Sequence, residues 1–161
     1  VRLGEVLDVI ERLLTACGHP EIETVHRYGT DQVAGGPSPA GVRVRCTSGA
    51  EAYLWGAIWS GENVLPTPAV LPWPARPDRI AVLVCLLLDA ARPAGLSGWQ
   101  LVALDGLGPS DARGKAPRGV RIVAADGTSL LLRATAAGAP MPEPADDPYP
   151  GWKIPETLSV S

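Results

Sequence analysis

Phenylalanine is absent from this sequence, methionine occurs once, and the 161 residues hold only two lysines, Lys115 and Lys153. Its aromatic side chains are therefore five tryptophans and three tyrosines, each an apolar ring with a polar edge. No run of Lys and Arg exists, acidic residues outnumber basic ones by 17 to 14, and the formal net charge is -3. Neutralising a phosphate backbone needs a concentrated cationic face. The charge balance thus argues against a nucleic-acid partner.

Metal and redox motifs are missing too. Cys17, Cys46 and Cys85 are odd in number and none sits in a CxxC pair, which excludes a self-contained disulfide framework and a zinc ribbon. Each lies in an apolar stretch and reads as a small buried hydrophobe of a reducing compartment. His19 precedes Pro20 in a turn and His26 falls mid-strand. With no HExxH spacing nearby, both read as structural or surface histidines rather than ligands or general bases. No G-x-S-x-G elbow is present.

The loop from Gly106 through Ser110, Asp111, Arg113 and Lys115 has the glycines of an anion cradle but not the strand–loop–helix context. Asp146 and Asp147 read as an acidic solvated loop with too few oxygens for a cation. Pro74-Ala-Arg-Pro77 matches a proline-rich ligand motif at the level of chance. No catalytic residue, metal or cofactor is assigned, and the chain reads as a non-enzyme.

Long apolar runs are also lacking. The longest, Ile80 to Leu88, is far short of the roughly 20 residues that span a bilayer. Arg2, Glu5, Asp8, Glu11 and Arg12 break any signal-peptide core. The expectation is a cytoplasmic protein without a membrane span. Abundant Ala, Gly, Pro and Arg fit a high-GC bacterial genome.

What is present is a core. Hydrophobic residues make up 46% and charged residues 19%, the reverse of a disordered composition. Leu3, Val6, Leu7, Ile10, Leu13, Leu14 and Cys17 trace one buried face of a helix that Gly18 and Pro20 stop. Ile22 to Tyr28 alternates as a strand. Val42 to Thr47 and Glu51 to Ile58 pair around Ser48-Gly49. Trp59 to Pro77 reads as extended, proline-rich chain. A second helix runs from Arg79 to Ala91 with Asp78 as its cap, more deeply buried because it is apolar all round. Trp99 to Leu104 is a strand. Val120 to Ala125 and Thr128 to Thr135 form a second hairpin around Asp126-Gly127, and a second proline-rich arm follows.

The order helix, strand, Gly/Pro loop, hairpin, arm therefore occurs twice. Pro39-Ala-Gly-Val-Arg-Val44 matches Pro117-Arg-Gly-Val-Arg-Ile122. Gly49 matches Gly127, Leu54 matches Leu132, Pro66 matches Pro144, and Gly18 and Gly29 match Gly95 and Gly106, all at a displacement of roughly 77 to 79 positions. Half a chain of this length is marginal alone. The expectation is a single α+β domain over 1–161, built as two tandem αβββ repeats, 1–77 and 78–155, with a tail at 156–161. Six mostly antiparallel strands would be related by a pseudo-two-fold axis, with both helices on one sheet face.

Function is less legible. If Ala52, Leu54 and Ile58 face the core, Tyr53 and Trp55 stand on the open face beside Arg43 and Arg45, with Trp59 just beyond. Leu131 and Arg133 hold the matching positions of the second half. Aromatics with arginines are the usual make-up of a protein-binding hot spot. Arg43, Arg45, Tyr53, Trp55 and Arg133 are therefore the candidate partner-binding residues of an adaptor, chaperone or inhibitor-like module that uses this face and the arms, and arms exchanged between chains would give a homodimer. The alternative is a small-molecule binder or enzyme with a cleft between the repeats, framed by the loops 29–40 and 106–118. Trp73 and Trp152 read as anchors for the two arms.

Overall fold

The computed structural model describes residues 2–29, 40–57, 62–73, 76–104, 118–137, 144–156 and 158. In chain order the elements are α1 (Leu3–Ala16), β1 (Ile22–Tyr28), β2 (Gly41–Cys46), β3 (Glu51–Ala57), β4 (Glu62–Leu65), α2 (Arg76–Ala91), β5 (Leu96–Leu104), β6 (Arg118–Ala124) and β7 (Ser129–Ala137). Among the described residues the fold is α+β: two helices and a seven-stranded antiparallel sheet in the order β1-β2-β3-β7-β6-β5-β4.

Period-2 alternation decides which face is covered. Val44 and Val42 lie opposite Ala52 and Leu54, Leu54 opposite Ala134, and Val120 opposite Leu132. These side chains share one buried cluster with Leu7, Ile10, Leu13 and Leu14 of α1 and Val84, Leu87 and Leu88 of α2. Each fully buried aliphatic contributes on the order of 1.5–3 kcal/mol. α1 buries one stripe, whereas Ile80 to Cys85 of α2 is buried without a break. Among the described residues no helix is long and apolar enough to cross a membrane.

Two expectations need correction. The sheet has seven strands among the described residues rather than six, because Glu62–Leu65, expected as extended chain outside the sheet, pairs with Leu101–Leu104 at the outer edge. The strand stops where Pro66 removes the next N–H donor. The second helix starts at Arg76 rather than Arg79, since proline is tolerated in a first turn. Asp78 therefore sits inside that turn and faces Arg118 Nε at 3.6 Å.

Both hairpins are three-residue loops rather than two-residue turns. Gly49 N donates to Cys46 O and Cys46 N to Ala50 O; Gly127 N donates to Ala124 O and Ala124 N to Thr128 O. Gly49 and Gly127 take φ of 90° and 89°, the left-handed residue that closes a type I turn with a bulge.

Candidate functional site

The sheet face turned away from the helices carries the candidate side chains in registered rows. In one row His26 lies opposite Arg43, Arg43 opposite Tyr53, and Tyr53 opposite Thr135. In the next, Tyr28 lies opposite Gly41, Gly41 opposite Trp55, and Trp55 opposite Arg133. A groove of about 730 Å³ runs over both rows from His26, Tyr28 and Gly29 to Trp55 and Thr135.

Glycine at 41 makes the groove's shape. A Cβ there would run into the Tyr28 hydroxyl and come 2.6 Å from Leu54 O. Tyr28 thus lies across the backbone of β2, with its ring edge-on to Tyr53 at 6.2 Å between centroids. Burial pushes both tyrosine hydroxyls above their ordinary pKa, Glu51 adding to the effect on Tyr53. Trp55 Nε1 donates to Thr135 Oγ1 at 3.2 Å, and the Arg133 guanidinium carbon stands 5.3 Å from the Trp55 ring centroid. Arg43 Nε is 3.4 Å from Glu51 Oε2.

Four of the five residues singled out from sequence thus meet at one place: Arg43, Tyr53 and Trp55 line the groove and Arg133 stacks against its edge. Arg45 shares the face one row further along, opposite Glu51 and Thr24. Sequence reasoning missed Tyr28, Gly41 and Thr135. The alternation of His26 and Tyr28 on β1 is the signal that assigns β1 to the same face. Ile58, Trp59 and most of the loops 29–40 and 106–118, with Asp111, Arg113 and Lys115, lie outside the described residues. Past the β3–β7 pairing, the same face is closed by Val102, Leu104 and Leu131, a second buried cluster.

A buried charge network at the other end of the sheet was also missed. Glu21 Oε1 accepts from Arg79 Nε at 2.6 Å, and Glu21 Oε2 from Arg76 Nη1 at 3.1 Å. Asp147 takes both terminal nitrogens of Arg79, at 2.9 and 3.2 Å. Both guanidiniums stack on Trp73, at 4.9 and 5.0 Å. Two arginines at a helix N-terminus oppose the helix dipole, so burying them there requires these carboxylates.

Asp147 is therefore no solvated loop acid, and Arg76 is no part of an exposed proline-rich ligand. Burial alone would raise the Asp147 carboxyl, but hydrogen bonds from Tyr149 N–H and Arg79 outweigh it and hold the pKa below the usual value. His19, buried to 3% exposure, packs on Trp152 and Tyr149. Burial lowers its pKa, with Glu21 and Asp147 opposing and Arg79 and Arg76 reinforcing the shift. Glu21 N donates to Nδ1 at 3.2 Å and Arg79 Nη2 is 3.3 Å from Nε2. Both neighbours are N–H groups, so a doubly protonated ring would accept from neither.

The arms are fastened here. Trp73 Nε1 donates to Pro144 O at 3.1 Å, and Trp152 Nε1 to Cys17 O at 3.3 Å. All three cysteines are buried and in no disulfide, and burial pushes the Cys85 thiol up to about 12. Among the described residues no group of three His, Cys, Asp or Glu side chains is arranged to hold a metal ion. No family model, no curated protein and no solved structure matches this chain.

Proposed function

We propose that this chain is a non-enzymatic protein-interaction module, of adaptor, chaperone or inhibitor type, that engages its partner through the open sheet face. The observation that carries this reading is the row Tyr28–Gly41–Trp55–Arg133 beside Arg43 and Tyr53, over a groove of about 730 Å³. Large rings held by cross-strand packing supply contact area at little entropic cost, and stacked arginines supply orientation. The test is an affinity pull-down from the native host with wild-type and Trp55→Ala protein. A stoichiometric partner captured by the first and lost by the second, with the fold intact by circular dichroism, supports the reading. A partner retained at wild-type affinity refutes it.

We read the architecture as two tandem αβββ repeats. Several observations support a duplication. Val42 pairs with Leu54 and Val120 with Leu132 at one displacement. Bulges at Ile22/Thr24 and Leu96/Gly98 fall opposite Cys46 and Ala124 at the same displacement. Thr47 N bonds Glu21 O as Ala125 N bonds Gly95 O. On this register the first strands follow a shorter displacement than the hairpins. Gly95 then corresponds to Glu21, and the left-handed conformation of Gly18 (φ 68°) recurs at Arg92 (φ 45°). The repeats diverge in use: Tyr28 and Tyr53 frame a groove where Val102 and Leu131 fill one.

A second reading, a small-molecule binder, draws on the groove volume, which lies within the roughly 300–1,000 Å³ of ligand pockets. A metabolite that raises the melting temperature of wild-type protein but not of Trp55→Ala would favour it.

A further inference from the structure

We infer that the occupant of the groove is an extended, acidic peptide segment of another protein; this rests on the interaction-module reading. On β1, β2, β3 and β7, the strands the groove crosses, the open-face positions carry three arginines, Arg43, Arg45 and Arg133, and one carboxylate, Glu51. The chain as a whole carries -3. This face therefore has the sign opposite to the molecule that bears it, and it attracts acidic partners, while two copies of the face repel each other and disfavour face-to-face pairing of the chain with itself.

The second observation concerns Arg133. Its guanidinium is stacked on Trp55, yet its Nε is buried and meets no acceptor among the described residues. A buried donor without an acceptor is costly; with Nε enclosed, a carboxylate presented by an occupant would meet the fork at its terminal nitrogens, the natural complement of a guanidinium. The third is the company Arg133 keeps. Tyr53 and Trp55 offer ring surface on the neighbouring strand, and Tyr28 reaches across β2 to extend it, so an acidic side chain flanked by an apolar one meets both requirements. The groove crosses four strands, which suits an extended segment rather than a single small anion.

The test uses the whole chain. Displayed random peptides of about twelve residues are selected on immobilised protein, and enriched peptides are measured by fluorescence anisotropy. The expected winners place at least two Asp or Glu beside an aromatic or aliphatic residue. Their affinity is expected to fall about tenfold or more in Arg133→Gln, in Arg43→Gln/Arg45→Gln, and when their own acids become amides. It should be unchanged in Arg12→Gln on α1. The double variant on exposed positions keeps the test valid should Arg133→Gln fold poorly.

Failure to enrich any peptide, enrichment of neutral or basic ones, or acidic binding indifferent to both arginine variants would overturn the inference. So would tighter, Trp55-dependent binding of an oligothymidylate of about twenty nucleotides, which would mark a single-strand binder. Cross-linking of the pull-down partner separates the two levels. A Trp55-dependent partner that docks a neutral or basic segment removes acid recognition but leaves the module. No partner together with no enriched peptide removes both.

Discussion

Arg133 sits directly across the β3–β7 pairing from Trp55, its guanidinium carbon 5.3 Å from the indole centroid. Strands from the two halves of the sequence thus contribute one residue each to a single stacked pair. Arg133→Ala is expected to cost no more than about 0.5–1 kcal/mol, the value of a partly exposed cation–π contact, because it also removes the buried Nε that meets no acceptor among the described residues. Urea denaturation of Arg133→Ala and Arg133→Lys checks it, the lysine variant retaining part of the loss.

Gly41→Ala should destabilise the protein by about 1–3 kcal/mol, the range for forced overpacking. The new methyl meets both Tyr28 and the backbone oxygen of Leu54. Adding Tyr28→Ala removes only the first obstacle, so the double variant should recover only part of the stability. Thermal melts of the two variants decide this.

Glu21→Gln should cost about 3–5 kcal/mol, as for a buried pair broken on one side. It leaves Arg76 and Arg79 at a helix N-terminus with a neutral acceptor. Asp147→Asn should cost less, because Glu21 still faces both arginines. It should nonetheless expose the arm at 144–156 to limited proteolysis ahead of global unfolding.

Stability should fall on mild acidification. The folded pKa of His19 lies below the unfolded value of 6.5, so between those two values the unfolded chain binds more protons. The contribution is complete above about pH 6.5 and is lost as pH drops toward the folded value. Asp147, also depressed, adds a further loss below its ordinary value of 3.8. Denaturant midpoints at pH 7.5 and about 5 should differ, and His19→Gln should shrink the difference.

The thiols should resist modification in the native state. Cys85 is pushed up to about 12 and Cys17 is raised, both by burial first. An aromatic disulfide reagent should react with them only as fast as the chain unfolds.

Sequence reading located the sheet face because alternation is a local property. Val42, Val44 and Leu54 against Arg43, Arg45 and Tyr53 announces an inside and an outside without any knowledge of neighbours. It could not find the Glu21–Arg79–Asp147 network, whose members are separated by 58 and 68 positions and have no local period. A glutamate before a strand and a carboxylate between prolines look solvated until the fold brings two arginines to them. β4 escaped for a related reason: a four-residue strand on an edge has too few positions to show a period beside five prolines. Gly41 fell just before the strand read from Val42, and only the register shows Tyr28 lying across it.

The β3–β7 pairing also sets an order of events during synthesis. Trp55 and Thr135, which bond across it, are 80 residues apart in the chain. At about 5–20 residues per second, roughly 4–16 s separate the emergence of β3 from that of its partner. In that interval the middle of the finished sheet is an outer margin, with the hydrogen-bonding groups of β3 bare and α2 without the β6 and β7 surface it later covers. A nascent chain stalled in that window presents the ribosome's surroundings with an adhesive strand, so slow codons or truncations before Ser129 should lead to aggregation rather than to a stable half-protein.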